Sequence, residues 1–253
     1  MNFKLIILFF LIQGLIGQDS LQDRSVVSKM VLVPGNDRVN GFYMDKYEVT
    51  NAEFFEFVKA TGYFTEAEKI GGIKIYVGLG KWKMLEGETW RTSRYLKKQG
   101  IIVDRGNDLQ FANQPVLNLA ANDILAYAKW VGKRVPTYEE WVHAAKAAQD
   151  DYSNKYPGSN KLKEIAWYEK TSNEYFPENV GSKKPNELGI YDLAGNVMEL
   201  VLKDKNKPNE FWIVGGHLAS SAEACEIGKK VNFPVELDLA FDSLGIRLVK
   251  DVE

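Results

Sequence analysis

The segment Pro185-Asn186-Glu187-Leu188-Gly189-Ile190-Tyr191-Asp192-Leu193-Ala194-Gly195-Asn196-Val197-Met198-Glu199 crowds turn residues, apolar packing residues and carboxylates into one short stretch. A tight turn here sets Asp192 and Glu199, seven residues apart, beside the backbone carbonyls of Gly195 and Val197. Two carboxylates with carbonyls between them are hard oxygen donors, the kind Ca²⁺ takes at about 2.3 to 2.6 Å. The competing reading is mechanical: Asp192 caps a turn, and Glu199 pairs with a base such as Arg134 or Arg247.

The elements around this segment are short. Met30 to Gly35 and Gly41 to Met44 read as strands joined by a Gly/Asn/Asp turn. Thr50 with Glu53 makes a capping box for a helix whose apolar face is Phe54, Phe57 and Val58, and Gly62 stops it. A second helix runs from about Asn122, with Ile124, Tyr127, Ala128 and Val131 on one face and Gly132 at its end. A third opens at Thr137 with Glu140 and buries Trp141, Ala144, Ala145 and Ala148. Residues 70–112 hold no sustained period and read as strands and long loops shaping a groove. Residues 150–184 read as loops with one strand near 165–168, and Leu244 to Val249 as a terminal strand. Few helices and many short strands predict an α+β domain.

With 32 basic against 34 acidic side chains, no net field draws nucleic acid or an anionic membrane. Lys4 followed by the apolar run Leu5 to Ile16 reads as a targeting segment with a tolerable cleavage site at Gly17. The expected organisation is a signal peptide over 1–17, a polar leader over 18–29 and one domain over 30–250. The apolar run is shorter than the span of about 20 residues a membrane helix needs. No membrane span is therefore expected in the mature chain, a retained anchor being the alternative, and the protein is expected in the periplasm, the cell envelope or outside the cell. The one cysteine, Cys225, excludes an internal disulfide: it is buried, free or paired between chains as a Cys225-linked homodimer. No Asn-x-Ser/Thr acceptor is present, which points to a bacterial envelope protein over a glycosylated eukaryotic one.

Lys133-Arg134-Val135-Pro136-Thr137-Tyr138-Glu139-Glu140-Trp141 stands upstream of the turn segment, with Gly215-Gly216 and Leu244-Gly245-Ile246-Arg247 downstream. In that order these motifs resemble the formylglycine-generating (sulfatase-modifying) enzyme family over about residues 30 to 250. The resemblance implies a C-type-lectin-like fold of low regular secondary structure. It also implies a structural calcium ion held by the segment carrying Asp192, Gly195, Val197 and Glu199. In catalytic members it implies Cu(I) held by two cysteines after the Gly-Gly motif, since soft thiolates suit that ion.

Aligned from Gly215, Ser220 stands at the first of those cysteines and Cys225 at the second. A hydroxyl is a hard, protonated, poor ligand for Cu(I), so copper is not expected. His217 replaces the serine usual after Gly-Gly, Ser221 the arginine usual after the first cysteine, and Met198 the tryptophan of the Gly-Asn-Val-Trp-Glu motif. Cys225 and His217 remain the candidates for any surviving catalysis, as thiol nucleophile or soft-metal pair, with Met198 as a thioether. Against this stands the usual role of a lone buried cysteine as a small hydrophobe. Most aromatics, Trp130 and Trp141 among them, read as core, while Trp82, Trp90 and Tyr95 lie in Lys/Arg-rich loops that offer a stacking surface.

The leading expectation is an exported scaffold that has lost oxidase chemistry and binds a peptide or protein, as in envelope assembly. The alternatives are a divergent oxidoreductase converting a cysteine or serine to formylglycine and, more remotely, carbohydrate binding by fold analogy.

Overall fold

The computed structural model describes residues 29–93, 104–173, 176–231 and 235–252, so the targeting segment lies outside the described residues. Along the chain run β1 (Met30–Val33), β2 (Phe42–Asp45), α1 (Asn51–Thr61), α2 (Glu66–Ile70), β3 (Gly72–Tyr76) and β4 (Trp82–Glu86). They are followed by α3 (Ala121–Trp130), α4 (Tyr138–Ala145), β5 (Met198–Leu202), β6 (Phe211–Val214), β7 (Leu244–Gly245) and β8 (Val249–Asp251).

Capping decides where the helices start. Thr50 and Thr137 each accept a hydrogen bond from the backbone N–H of the glutamate three positions on, and Glu53 and Glu140 accept one back from the threonine N–H. The same box, Thr65 with Glu68, opens α2, which the periodicity missed because five residues are too few to show a helical repeat. Asp123 ties the beginnings of two helices together: its Oδ2 accepts from Ala120 N–H at 2.8 Å and its Oδ1 from Glu66 N–H at 3.0 Å. Gly62, at φ 67°, ends α1.

Two three-stranded sheets and a hairpin carry the rest. β2 lies between β1 and β8, antiparallel to both. β5 pairs antiparallel with β6 and parallel with β7, and β3 pairs with β4. The C-terminal stretch expected as one strand is thus two, β7 and β8, in different sheets, because the chain turns between them to send Arg247 inward. The strand expected near 165–168 is a single bridge, Trp167 to Gly195.

The largest apolar cluster sets α1 and α3 against the β5–β7 sheet, through Phe54, Phe57, Ile124, Leu200 and Leu244. A second packs Trp141 and Ala144 of α4 on Val33, Phe42, Met44 and Val249. Trp130, expected in the core, is 44% exposed at the end of α3. Trp90, expected on the surface, is fully buried and stands edge-on to Phe54 at 5.0 Å. Trp82 is a half-buried residue of β4, and Tyr95 lies outside the described residues. No helix among the described residues is long and apolar enough to cross a membrane.

Candidate functional site

β5 leaves the tight turn and sends successive side chains to opposite faces. Glu199 goes inward. Its Oε1 accepts from Arg247 Nε at 2.8 Å and its Oε2 from Trp141 Nε1 at 2.6 Å. Arg247 is fully buried, and its two terminal nitrogens donate to backbone carbonyls, Asp45 O at 3.0 Å and Tyr191 O at 2.7 Å. Glu48 completes the group, accepting from Asn196 Nδ2 at 2.6 Å and Val197 N–H at 3.1 Å. Burial pushes Glu48 well above the ordinary carboxylate range, and the neighbouring Asp192 and Glu199 push the same way.

The turn that holds Asp192 depends on left-handed backbone, with φ 57° at Asp192, 76° at Gly195 and 57° at Asn196. A Cβ at Gly195 would fall 2.1 Å from Trp167 O, so only glycine fits there. Asp192 Oδ2 accepts from Gly181 N–H at 2.6 Å, while Oδ1 is buried with no partner among the described residues. Burial raises Asp192 to about 6. The four residues expected to hold Ca²⁺ do not fit it as a set. Asp192 keeps a spare oxygen, but both oxygens of Glu199 already serve Arg247 and Trp141. Among the described residues no group of three or more His, Cys, Asp or Glu side chains is placed to hold a metal ion.

Met198, the next residue back, faces the other way. It lines a cavity of about 480 Å³ walled by β6 (Ile213, Val214), the β3–β4 hairpin (Lys74, Ile75, Trp82), Phe241 and the loop that follows Gly-Gly. That loop is shaped by Gly215 and Gly216, at φ 88° and 72°. His217 and Ser220 close a turn by two hydrogen bonds of 2.9 Å: Ser220 N–H to His217 O, and His217 N–H to Ser220 Oγ. The hydroxyl at the first cysteine position is thus an acceptor within its own loop.

Cys225 does not line the cavity. It ends a single 3₁₀ turn, Glu223–Cys225, behind Gly216, where a Cβ would lie 2.8 Å from its Sγ. It is 1% exposed and packs among Tyr156, Leu162, Ile165, Ala166, Tyr168 and Ala194. Burial pushes its thiol up to about 12, so the thiol keeps its proton at neutral pH. A disulfide between chains would require this side chain to leave the core. His217 stays in the cavity wall. Its Nδ1 is buried with no partner among the described residues, and burial lowers its basicity against the opposing charge of Asp242. The expected His217–Cys225 pair is therefore divided between an open cavity and a packed interior. The other histidine, His143 of α4, is buried with Nε2 2.7 Å from Pro34 O.

Sequence reasoning passed over Glu48, Lys74, Phe241 and Asp242. Nothing marks them in the chain: Glu48 is an isolated acid ahead of a helix cap, and the others meet only because the hairpin folds beside the 240s loop, where Lys74 and Phe241 form a bridge.

A family model described as the sulfatase-modifying factor enzyme 1-like domain matches residues 18–252. Formylglycine-generating enzyme of Mus musculus is 33% identical over 193 residues, which cover 64% of this chain and 48% of that protein. The chain thus spans about half the length of that relative. Inactive C-alpha-formylglycine-generating enzyme 2 of Bos taurus is 32% identical over 243 residues, covering 83% of this chain and 77% of that protein. Among solved structures, PvdO from Pseudomonas aeruginosa matches with a TM-score of 0.58 at 19% identity, covering 88% of this chain and 90% of that one. That likeness is one of fold.

Proposed function

The chain belongs to the sulfatase-modifying factor enzyme 1-like family, and from that premise we propose that it is a non-catalytic member that holds a peptide or a segment of a partner protein in the cavity beside Gly216. The observation that carries this is the condition of its one thiol. Cu(I) chemistry of the family's kind calls for two thiolates in an open groove, and here the first position is a hydroxyl turned into its own loop. The second is a protonated thiol in the core, its pKa near 12. The inactive bovine relative supports the idea that the scaffold persists without the activity.

The apolar lining of the cavity supports binding, since pockets of roughly 300–1,000 Å³ with few polar groups are the usual small-ligand and side-chain sites. The targeting segment read at residues 1–17 supports an exported protein, working in the periplasm, the envelope or the medium, where assembly of other proteins is a fitting role.

The test is a turnover assay on the copper-treated protein with a cysteine-containing sulfatase peptide, read by mass for the aldehyde and by retention for binding. The expected result is retention without conversion. Conversion that Cys225→Ala abolishes would overturn the proposal.

A further inference from the structure

Whatever the cavity holds, we propose that the tip of the β3–β4 hairpin is a contact site for an anionic lipid surface, with Val77 and Leu79 entering the headgroup layer and Lys81 and Lys83 meeting lipid phosphates. The hairpin is fixed at its base and free at its end. Ile73 is fully buried in a small cluster with Ala67, Ala120 and Ala240, with Leu85 packed against it. Higher up, the Trp82 ring stands 5.5 Å from that of Phe241. The chain then turns back through hydrogen bonds from Val77 N–H to Lys81 O at 3.0 Å and from Lys81 N–H to Gly78 O at 2.9 Å. A Cβ on Gly78 or Gly80 would meet nothing within 4 Å among the described residues. Leu79, between them, is 95% exposed, and Val77 is 54% exposed.

The backbone makes Leu79 the unexpected residue of this turn. Gly78, Leu79 and Gly80 all take left-handed backbone, at φ 89°, 51° and 70°. Glycine adopts that region freely, whereas a leucine there is strained. An apolar side chain that strains its own backbone and projects into water does nothing for the folded chain, and strain held at such a position points to a use outside it. Charge chooses the occupant. Between Ile70 and Leu85 stand Lys74, Lys81 and Lys83 and no acid. Lys81 and Lys83, nearest the tip, are exposed and have no carboxylate partner among the described residues. The pairing sets Asp242 beside the middle of β3, next to the Phe241 that bridges Lys74, and Glu86 at the base of β4, so both acids stand below the turn. An apolar tip with ammonium groups just behind it fits the boundary of an anionic bilayer, where apolar surface enters and cations meet phosphates. The formal net charge of −2 supplies no long-range attraction, so these lysines act only near contact. Two apolar side chains and two charges make a weak, reversible contact, which orients the domain at a surface rather than holding it there.

The experiment uses the full chain with an environment-sensitive nitrobenzoxadiazole fluorophore on Val77→Cys, and Leu109→Cys, at a position 88% exposed outside the hairpin, as the control. Cys225 is 1% exposed and takes no label. With phosphatidylglycerol vesicles the reporter at position 77 should brighten and shift to the blue, and the shift should fade as ionic strength rises. With phosphatidylcholine vesicles it should stay as in buffer, and the reporter at position 109 should move with neither. Leu79→Gly, added to the position 77 reporter, should raise the lipid needed for half the shift roughly tenfold. It relieves the strained φ, so the thermal melt should not fall. Lys81→Gln and Lys83→Gln should each raise that lipid concentration roughly fivefold and together flatten the salt dependence. No shift with phosphatidylglycerol would overturn the inference and leave the tip to a protein partner. An equal shift with phosphatidylcholine, an equal shift at both positions, or indifference to Leu79→Gly would overturn it as well. None of these outcomes bears on whether the cavity retains a peptide, so the two readings fail separately.

Discussion

Met198 and Glu199 are neighbours on β5, yet one looks into an open apolar cavity and the other into a sealed network of charge. On the inner face each guanidinium nitrogen of Arg247 has an acceptor, and the residues of the family's motifs, Trp141, Glu199 and Arg247, meet one another. On the outer face the residues that depart from the family's pattern, Met198, His217, Ser220 and Ser221, line the cavity together. The contrast teaches that the motifs most visible in this chain are those of a scaffold. A buried ion pair cannot lose a partner cheaply, whereas a cavity wall can change residue type as long as its backbone turns are kept.

The comparison breaks most easily at Arg247. Arg247→Met leaves the carboxylates of Glu199, Glu48 and Asp192 buried without their cation, and should cost about 3–5 kcal/mol in urea unfolding. Unchanged stability would mean that the inner face is not held by charge. A smaller loss is expected on the outer face at Gly216, where φ is 72° and a Cβ would meet Cys225 Sγ at 2.8 Å. Gly216→Ala should cost about 1–3 kcal/mol. In a Cys225→Ala background the contact is gone but the backbone strain is not, so part of that cost should return. Full additivity of the two substitutions would show that they do not touch.

A further test distinguishes the two faces by pH. Asp192 is raised from its ordinary 3.8 to about 6 in the folded chain. The native state therefore holds this proton more tightly than the unfolded chain does. Its contribution to stability is complete below the ordinary value and is lost as pH rises through about 6. The stability of the unsubstituted chain minus that of Asp192→Asn should fall by up to about 3 kcal/mol between acid and neutral pH. A difference that grows with pH would mean that a cation reaches the spare oxygen of Asp192. Glu48, raised by burial and by its acidic neighbours, acts in the same direction.

Much of the frame was legible in the chain. Thr50 with Glu53 and Thr137 with Glu140 announce their helices because a capping box is a local device, complete within four residues. Asp192, Gly195 and Glu199 announce a special turn for the same reason. The shorter α2 was hidden, although it uses the same box, because nothing periodic follows it. Trp90 and Trp130 were misplaced in opposite directions: lysines and arginines around Trp90 suggested solvent, and helical spacing around Trp130 suggested core. Neither local cue reports what lies across the fold.

By itself the sequence determined the α+β class, the helix starts, the turn at Gly195 and the absence of a second thiol. Each of these depends on residues adjacent in the chain or on a count. Only the tertiary structure decided that Glu199 answers to Arg247 and Trp141, and that Cys225 lies behind Gly216 with its proton retained. Those outcomes depend on burial and on contacts between distant segments, and a carboxylate, a thiol or an ammonium takes its chemistry from whichever solvent the fold leaves around it.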